Sequence, residues 1–115
     1  MAEACIYVDT RRFANFNLGF LNLFEFNTPC QLYTLRQLHG PLTRANSLRD
    51  AIFRCAKIRQ PERVIEILYT SRTMRPMGLV IDLVPQKDDA LIQIVCHQLN
   101  DELKRLDEQN NNTSA

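Results

Sequence analysis

Residues 63–84 read RVIEILYTSRTMRPMGLVIDLV, and this stretch decides the fold class. Its first part, Arg63 to Thr70, is dominated by Val64, Ile65, Ile67, Leu68 and Tyr69, which favour a pleated, half-buried surface. Its last part, Leu79 to Val84, has the same character and is closed by Pro85. Between them Ser71 to Gly78 is polar and turn-rich. Two strands joined through such a segment predict an antiparallel hairpin.

Upstream, Leu48, Ala51, Ile52 and Cys55 recur at the spacing of one buried helical face. Ser47 and Asp50 resemble a capping box at its start, and Pro61 disfavours helix at the preceding residue, so a helix is predicted from Ser47 to about Gln60. Gln31 to His39 carries a weaker helical spacing at Leu32, Leu35 and Leu38, ended by Gly40-Pro41. Ala4 to Asp9 suits a short buried strand. Arg11 to Phe26 fits two periods: Phe13, Phe16, Phe20 and Phe24 would line a helix, whereas Leu18, Phe20, Phe24 and Phe26 fit an alternation. Strand is the preferred reading for Leu18 to Phe26.

Downstream, a helix is predicted from Asp88 or Asp89 to about Glu108, the two acids favouring its positive end. Ile92, Cys96, Leu99, Leu103 and Leu106 follow a narrow apolar seam, widened by Leu91 and Val95. The sum is an α+β fold: a small, mainly antiparallel sheet packed by two or three helices, with a long C-terminal amphipathic helix. Residues 1–109 are expected to form one compact domain and residues 110–115 a disordered polar tail.

The chain has 115 residues, 45% apolar and 23% charged, ordinary values for one globular domain. Charge is uneven. Residues 36–75 hold nine basic and three acidic residues, a net +6, while residues 76–115 hold three basic and seven acidic, a net −4. Such asymmetry points to an anionic partner or to self-complementary association. No apolar run is long enough to span a bilayer, and the N-terminal residues lack a secretory pattern, so an intracellular protein, cytoplasmic or nuclear, is expected. Cys5, Cys30, Cys55 and Cys96 are scattered without metal-ligand spacing and are read as free thiols.

Catalytic constellations are not visible. There is no phosphate-cradling glycine loop and no zinc motif. Cys96 and His97 are neighbours in sequence, but on the predicted helix they diverge by about 100°. Asp9 and Asp82 form an incomplete metal-carboxylate pair. No enzyme activity, cofactor or metal is therefore expected. The leading expectation is a non-catalytic interaction or adaptor protein that self-associates as a homodimer, or binds another protein, through Ile92, Cys96, Leu99, Leu103 and Leu106. The alternative is a small RNA-binding regulatory or virus-encoded factor using the segment 36–75. There Arg49, Phe53, Arg54, Lys57, Arg59 and Arg63 would combine phosphate contacts with one stacking ring.

Overall fold

The computed structural model describes residues 1–27 and 33–113, with side chains through Asp107. Strands β1 (Ala2–Tyr7) and β2 (Phe13–Ala14) come first, then helix α1 (Leu18–Phe24), a 3-10 turn (Leu35–Leu38) and helix α2 (Ser47–Ile58). Strands β3 (Glu62–Tyr69), β4 (Pro76–Pro85) and β5 (Leu91–Gln98) follow, and helix α3 (Leu99–Thr113) is last. The strands form one sheet in the order β2-β1-β5-β4-β3, antiparallel at every pairing. The α+β expectation holds, including the β3–β4 hairpin.

The segment between β2 and β3 carries the chain from one edge of the sheet to the other and packs the helices on one face. That inner face is set by strand alternation. It presents Ala2, Ala4 and Ile6 from β1, Ile92, Ile94 and Cys96 from β5, and Met77, Leu79, Ile81 and Leu83 from β4, all buried. Leu48, Ala51, Ile52 and Cys55 of α2 close over it, the four residues the helical spacing picks out. Phe13, Phe20 and Phe24 fill the other end, with ring centroids 5.1 Å and 4.8 Å from Phe20. Such tilted aromatic contacts add to the area buried.

Several local expectations are corrected. Leu18–Phe26 is not a strand, since α1 occupies Leu18–Phe24. Asn17 caps it, its Oδ1 accepting from Phe20 N at 2.8 Å and from Glu3 N at 3.0 Å, which also pins α1 to β1. A Cβ on Gly19 would stand 2.4 Å from the Met1 carbonyl oxygen, so only glycine permits this approach. The predicted helix over residues 88–108 is instead strand β5 followed by helix α3. Asp88 does not cap a helix but turns the β4–β5 connection, its Oδ1 accepting from Ala90 N at 2.9 Å and its carbonyl from Leu91 N at 3.0 Å.

The start of α2 also differs. Asn46, in a left-handed conformation with φ 63°, stands at the N-cap and no side chain caps the helix, so the Ser47/Asp50 box does not form. The weak helix at Gln31–His39 shrinks to the 3-10 turn Leu35–Leu38, and Gln31 and Leu32 lie outside the described residues. α3 continues to Thr113, so residues 110–113 of the expected tail are helical backbone, and residues 114–115 lie outside the described set.

Candidate functional site

The outer face of the sheet carries a polar cluster that no single segment announces. Because Tyr69 pairs with Pro76 across the hairpin, Arg63 lies opposite Asp82. Arg63 grips the carboxylate with two bonds, Nε to Oδ1 at 2.7 Å and Nη2 to Oδ2 at 3.1 Å. The β4–β5 pairing then sets His97 diagonally beside the same carboxylate, Nε2 to Oδ2 at 3.1 Å. From α3, Glu102 approaches Arg63 Nη1 at 3.7 Å and accepts from Arg105 Nη2 at 2.6 Å. One guanidinium thus joins β3 and β4 to α3.

Electrostatics follow the geometry. The Asp82 carboxyl is held below its ordinary range chiefly by the hydrogen bonds from Arg63, which outweigh its partial burial. Glu102 is lowered first by its bond from Arg105, and Arg63 is raised first by its bonds to Asp82. Met1, Pro61, Glu62, Arg63, Asp82, Leu83, Val84, Val95 and His97 line a cavity of about 530 Å³ beside the cluster. The first turn of α3 rests on this face, with Leu99 side-chain atoms 3.6 Å from the position of a Cβ on Gly78. Farther along, Leu103 and Leu106 are 51% and 44% exposed.

The predicted apolar seam is therefore divided. Ile92 and Cys96 point from β5 into the core, whereas Leu99, Leu103 and Leu106 belong to α3 on the opposite side of the sheet. Cys96 and His97 do diverge, but by strand alternation. Burial pushes the Cys96 thiol up to about 12, the direction that disfavours the thiolate. Asp9 and Asp82 do not converge: Asp9 sits in the β1–β2 turn accepting from Thr10 N, and Asp82 belongs to Arg63. Among the described residues no group of three or more His, Cys, Asp or Glu could hold a metal ion. Cys5, Cys55 and Cys96 are free thiols, and Cys30 lies outside the described residues.

The basic segment is largely engaged with acids. Arg54 pairs with Glu62, Arg59 with Asp89 at 3.3 Å, Arg63 with Asp82, and Arg49 with Asp50 at 3.4 Å. Arg44 pairs with the buried Glu66 at 3.1 Å. Burial raises the Glu66 pKa, but amide bonds from Ile67 and Arg44 and the Arg44 side chain lower it further, leaving it net depressed. Phe53 is 41% exposed, with the Arg11 guanidinium 5.5 Å from its ring centroid. Lys57 stays on the exposed face of α2. Sequence reasoning missed the Arg63–Asp82–His97–Glu102 grouping, though a symmetric hairpin centred between Tyr69 and Pro76 would have paired the first two.

No family model and no curated protein matches the chain. Solved structures do. The light state structure of the blue-light photoreceptor Aureochrome1 LOV has a TM-score of 0.71 at 17% identity, covering 95% of this chain and 91% of that one. Its dark structure has a TM-score of 0.71 at 14% identity, covering 99% and 86%. A fungal LOV domain photoreceptor has a TM-score of 0.66 at 13% identity, covering 85% and 73%. At these identities the likeness is one of fold. Neighbours described as photoreceptor domains overturn the expectations of a plain self-associating adaptor and of an RNA-binding factor. The divided seam and the paired arginines are the physical reasons those expectations fail. Among the described residues no helix is long and apolar enough to cross a membrane.

Proposed function

We propose that this chain is a non-enzymatic regulatory domain of LOV-like fold, which passes a change of state to a protein partner through the attachment of α3 to the outer sheet face. The observation that carries this reading is Arg63, which bonds Asp82 on β4 and meets Glu102 on α3. An element held at one turn by a charged contact, and leaving Leu103 and Leu106 half exposed, opens at less cost than the strands beneath it. Burial raises the thiol pKa values of Cys55 and Cys96, which supports a reading without a cysteine nucleophile at either position.

A further solved structure of this fold, with a TM-score of 0.71 at 12% identity, is described as a flavin analogue study of light-oxygen-voltage domain mechanism. The described interior here does not fit a flavin. Phe13, Phe20, Phe24, Leu35, Leu38, Leu48 and Ile52 are fully buried in the space between helices and sheet. A flavin ring has a polar edge that needs hydrogen-bonding partners once buried. Among the described residues the polar residues buried as a whole are Glu66 and Thr70, and both are occupied, by Arg44 and Ile67 and by Thr73 and Arg75, while the shielded nitrogens without a partner, His39 Nε2 and Arg49 Nε, belong to partly exposed residues. The proposed regulation therefore takes no step through a flavin.

Hydrogen exchange tests the proposal. Residues 100–107 are expected to exchange through local opening, well before β4 and β5, and Arg63→Gln should speed that exchange roughly fivefold, the scale of a partly exposed ion pair. Exchange of α3 only together with the sheet, in both proteins, overturns the reading.

A further inference from the structure

Histidine occurs twice in this chain, and it is the side chain whose charge ordinarily changes between about pH 5 and 8. His39 lies at the end of the 3-10 turn on the helix side of the sheet, where burial pushes its pKa down against a smaller raising effect from Glu66. His97 stands on the outer face, where α3 is attached, with its Nε2 3.1 Å from Asp82 Oδ2. An ionised carboxylate only accepts hydrogen bonds, so Nε2 carries a hydrogen and donates whether or not the ring is charged. The proton that comes and goes is therefore the one on Nδ1, and the contact to Asp82 survives the change.

The charges around His97 come from four elements. Asp82 stands on β4, Arg63 and Glu62 on β3, and Glu102 and Arg105 on α3. On the β1 side Glu3 lies opposite Val95, and Met1 with its amino group lines the same cavity as His97. Glu62 is taken up by Arg54 of α2, while Asp101 and Lys104 of α3 are exposed. With the imidazole neutral, Arg63 and Arg105 balance Asp82 and Glu102. Exposure breaks that tie. The two acid side chains are 28% and 14% exposed, whereas those of Arg63 and Arg105 are 55% and 54%. Water screens the more exposed cations better, so a new positive charge on the partly buried His97 meets net attraction. The carboxyls show it: Asp82 is held low first by Arg63 and then by His97, Glu102 first by Arg105 and then by Arg63 and His97.

We propose that protonation of His97 fastens α3 to the outer sheet face, so that the attachment is a pH-sensitive latch, tighter on the acid side of neutrality and looser on the alkaline side. Asp82 stays on β4 whether α3 is docked or not. The part of the attraction that depends on docking is the one to Glu102, in the first turn of α3. By linkage, a site that holds its proton more tightly with α3 docked favours docking at low pH and releases the helix as pH rises. The latch has a lower limit. Both carboxyls sit below their ordinary values, so their charges persist above about pH 4 and are lost only as pH falls through the depressed folded values. This latch presupposes α3 as the locally opening element of the proposed function.

Amide exchange of the full chain, with protection factors corrected for the intrinsic pH dependence of exchange, tests it. From about pH 8 to about pH 5.5, protection of residues 100–107 should rise about threefold, the scale of one partly exposed ion pair. His97→Gln and Glu102→Gln should each flatten that response, and His39→Gln should keep it. A flat wild-type profile, a profile that falls toward acid, or an unchanged rise in His97→Gln overturns the latch. The attachment reading then still stands if Arg63→Gln loosens α3. Exchange of α3 only together with the sheet, at both pH values and in Arg63→Gln as well, overturns the attachment reading and the latch with it.

Discussion

The two faces of the sheet are held by different physics. Under α1 and α2, strand after strand presents buried apolar side chains, and Phe13, Phe20 and Phe24 pack at tilted angles. On the other side, Arg63, Asp82, His97 and Glu102 tie a helix down by charge, and the flanking Ile65 remains 54% exposed. Dispersion and water exclusion act over a whole surface and favour one closed arrangement. Ion pairs open to solvent contribute little each and are screened by salt. The inner face therefore sets stability, and the outer face is where an element can come and go.

Phe20→Ala should be the heaviest blow to this division, because it opens a cavity where three rings meet. A loss of about 3–5 kcal/mol is expected from the urea midpoint. A loss below about 1 kcal/mol would mean the inner face can collapse and does not set stability.

Gly19→Ala sharpens the comparison at the seam between α1 and β1. Alanine favours helix by about 1 kcal/mol, but its Cβ would meet the Met1 carbonyl oxygen at 2.4 Å. A net destabilisation of about 1–3 kcal/mol is expected, the usual scale of overpacking. A melting temperature above wild type would show that the strand yields.

Asp82→Asn probes the outer face and should cost less than about 1 kcal/mol near pH 7, since the ion pair is partly open to water. Its clearer signature is in pH. The folded pKa of Asp82 is depressed by Arg63. The stability it contributes is therefore present above its unfolded value, near 4, and is lost as pH falls through the lower folded value. Wild type and Asp82→Asn should differ most at pH 7 and converge toward pH 2 in urea unfolding. An equal gap at both ends would remove the carboxylate from the account.

Much of the inner face was legible in the residues. The β3–β4 hairpin and the buried side of α2 follow from local periodicity, because each is satisfied by neighbours a few residues away. The fold class followed from the same two elements. Leu18–Phe26 was not decidable from pattern, since Phe20 and Phe24 satisfy both periods, and the choice fell to the Asn17 cap and the close passage of Gly19 by Met1.

Residues 91–98 carried a misleading local signal. Ile92, Cys96 and Leu99 fit a helical stripe, yet Ile92, Ile94 and Cys96 also alternate, and pairing with β1 on one side and β4 on the other made the strand. By itself the sequence determined which segments bury apolar surface locally, because that depends on side chains within one or two turns. Only the tertiary structure decided what meets Arg63 on the outer face of the sheet and what meets Arg44 beside β3. Those neighbours come from distant strands, turns and helices, and their approach depends on sheet register and on how helices cross the sheet.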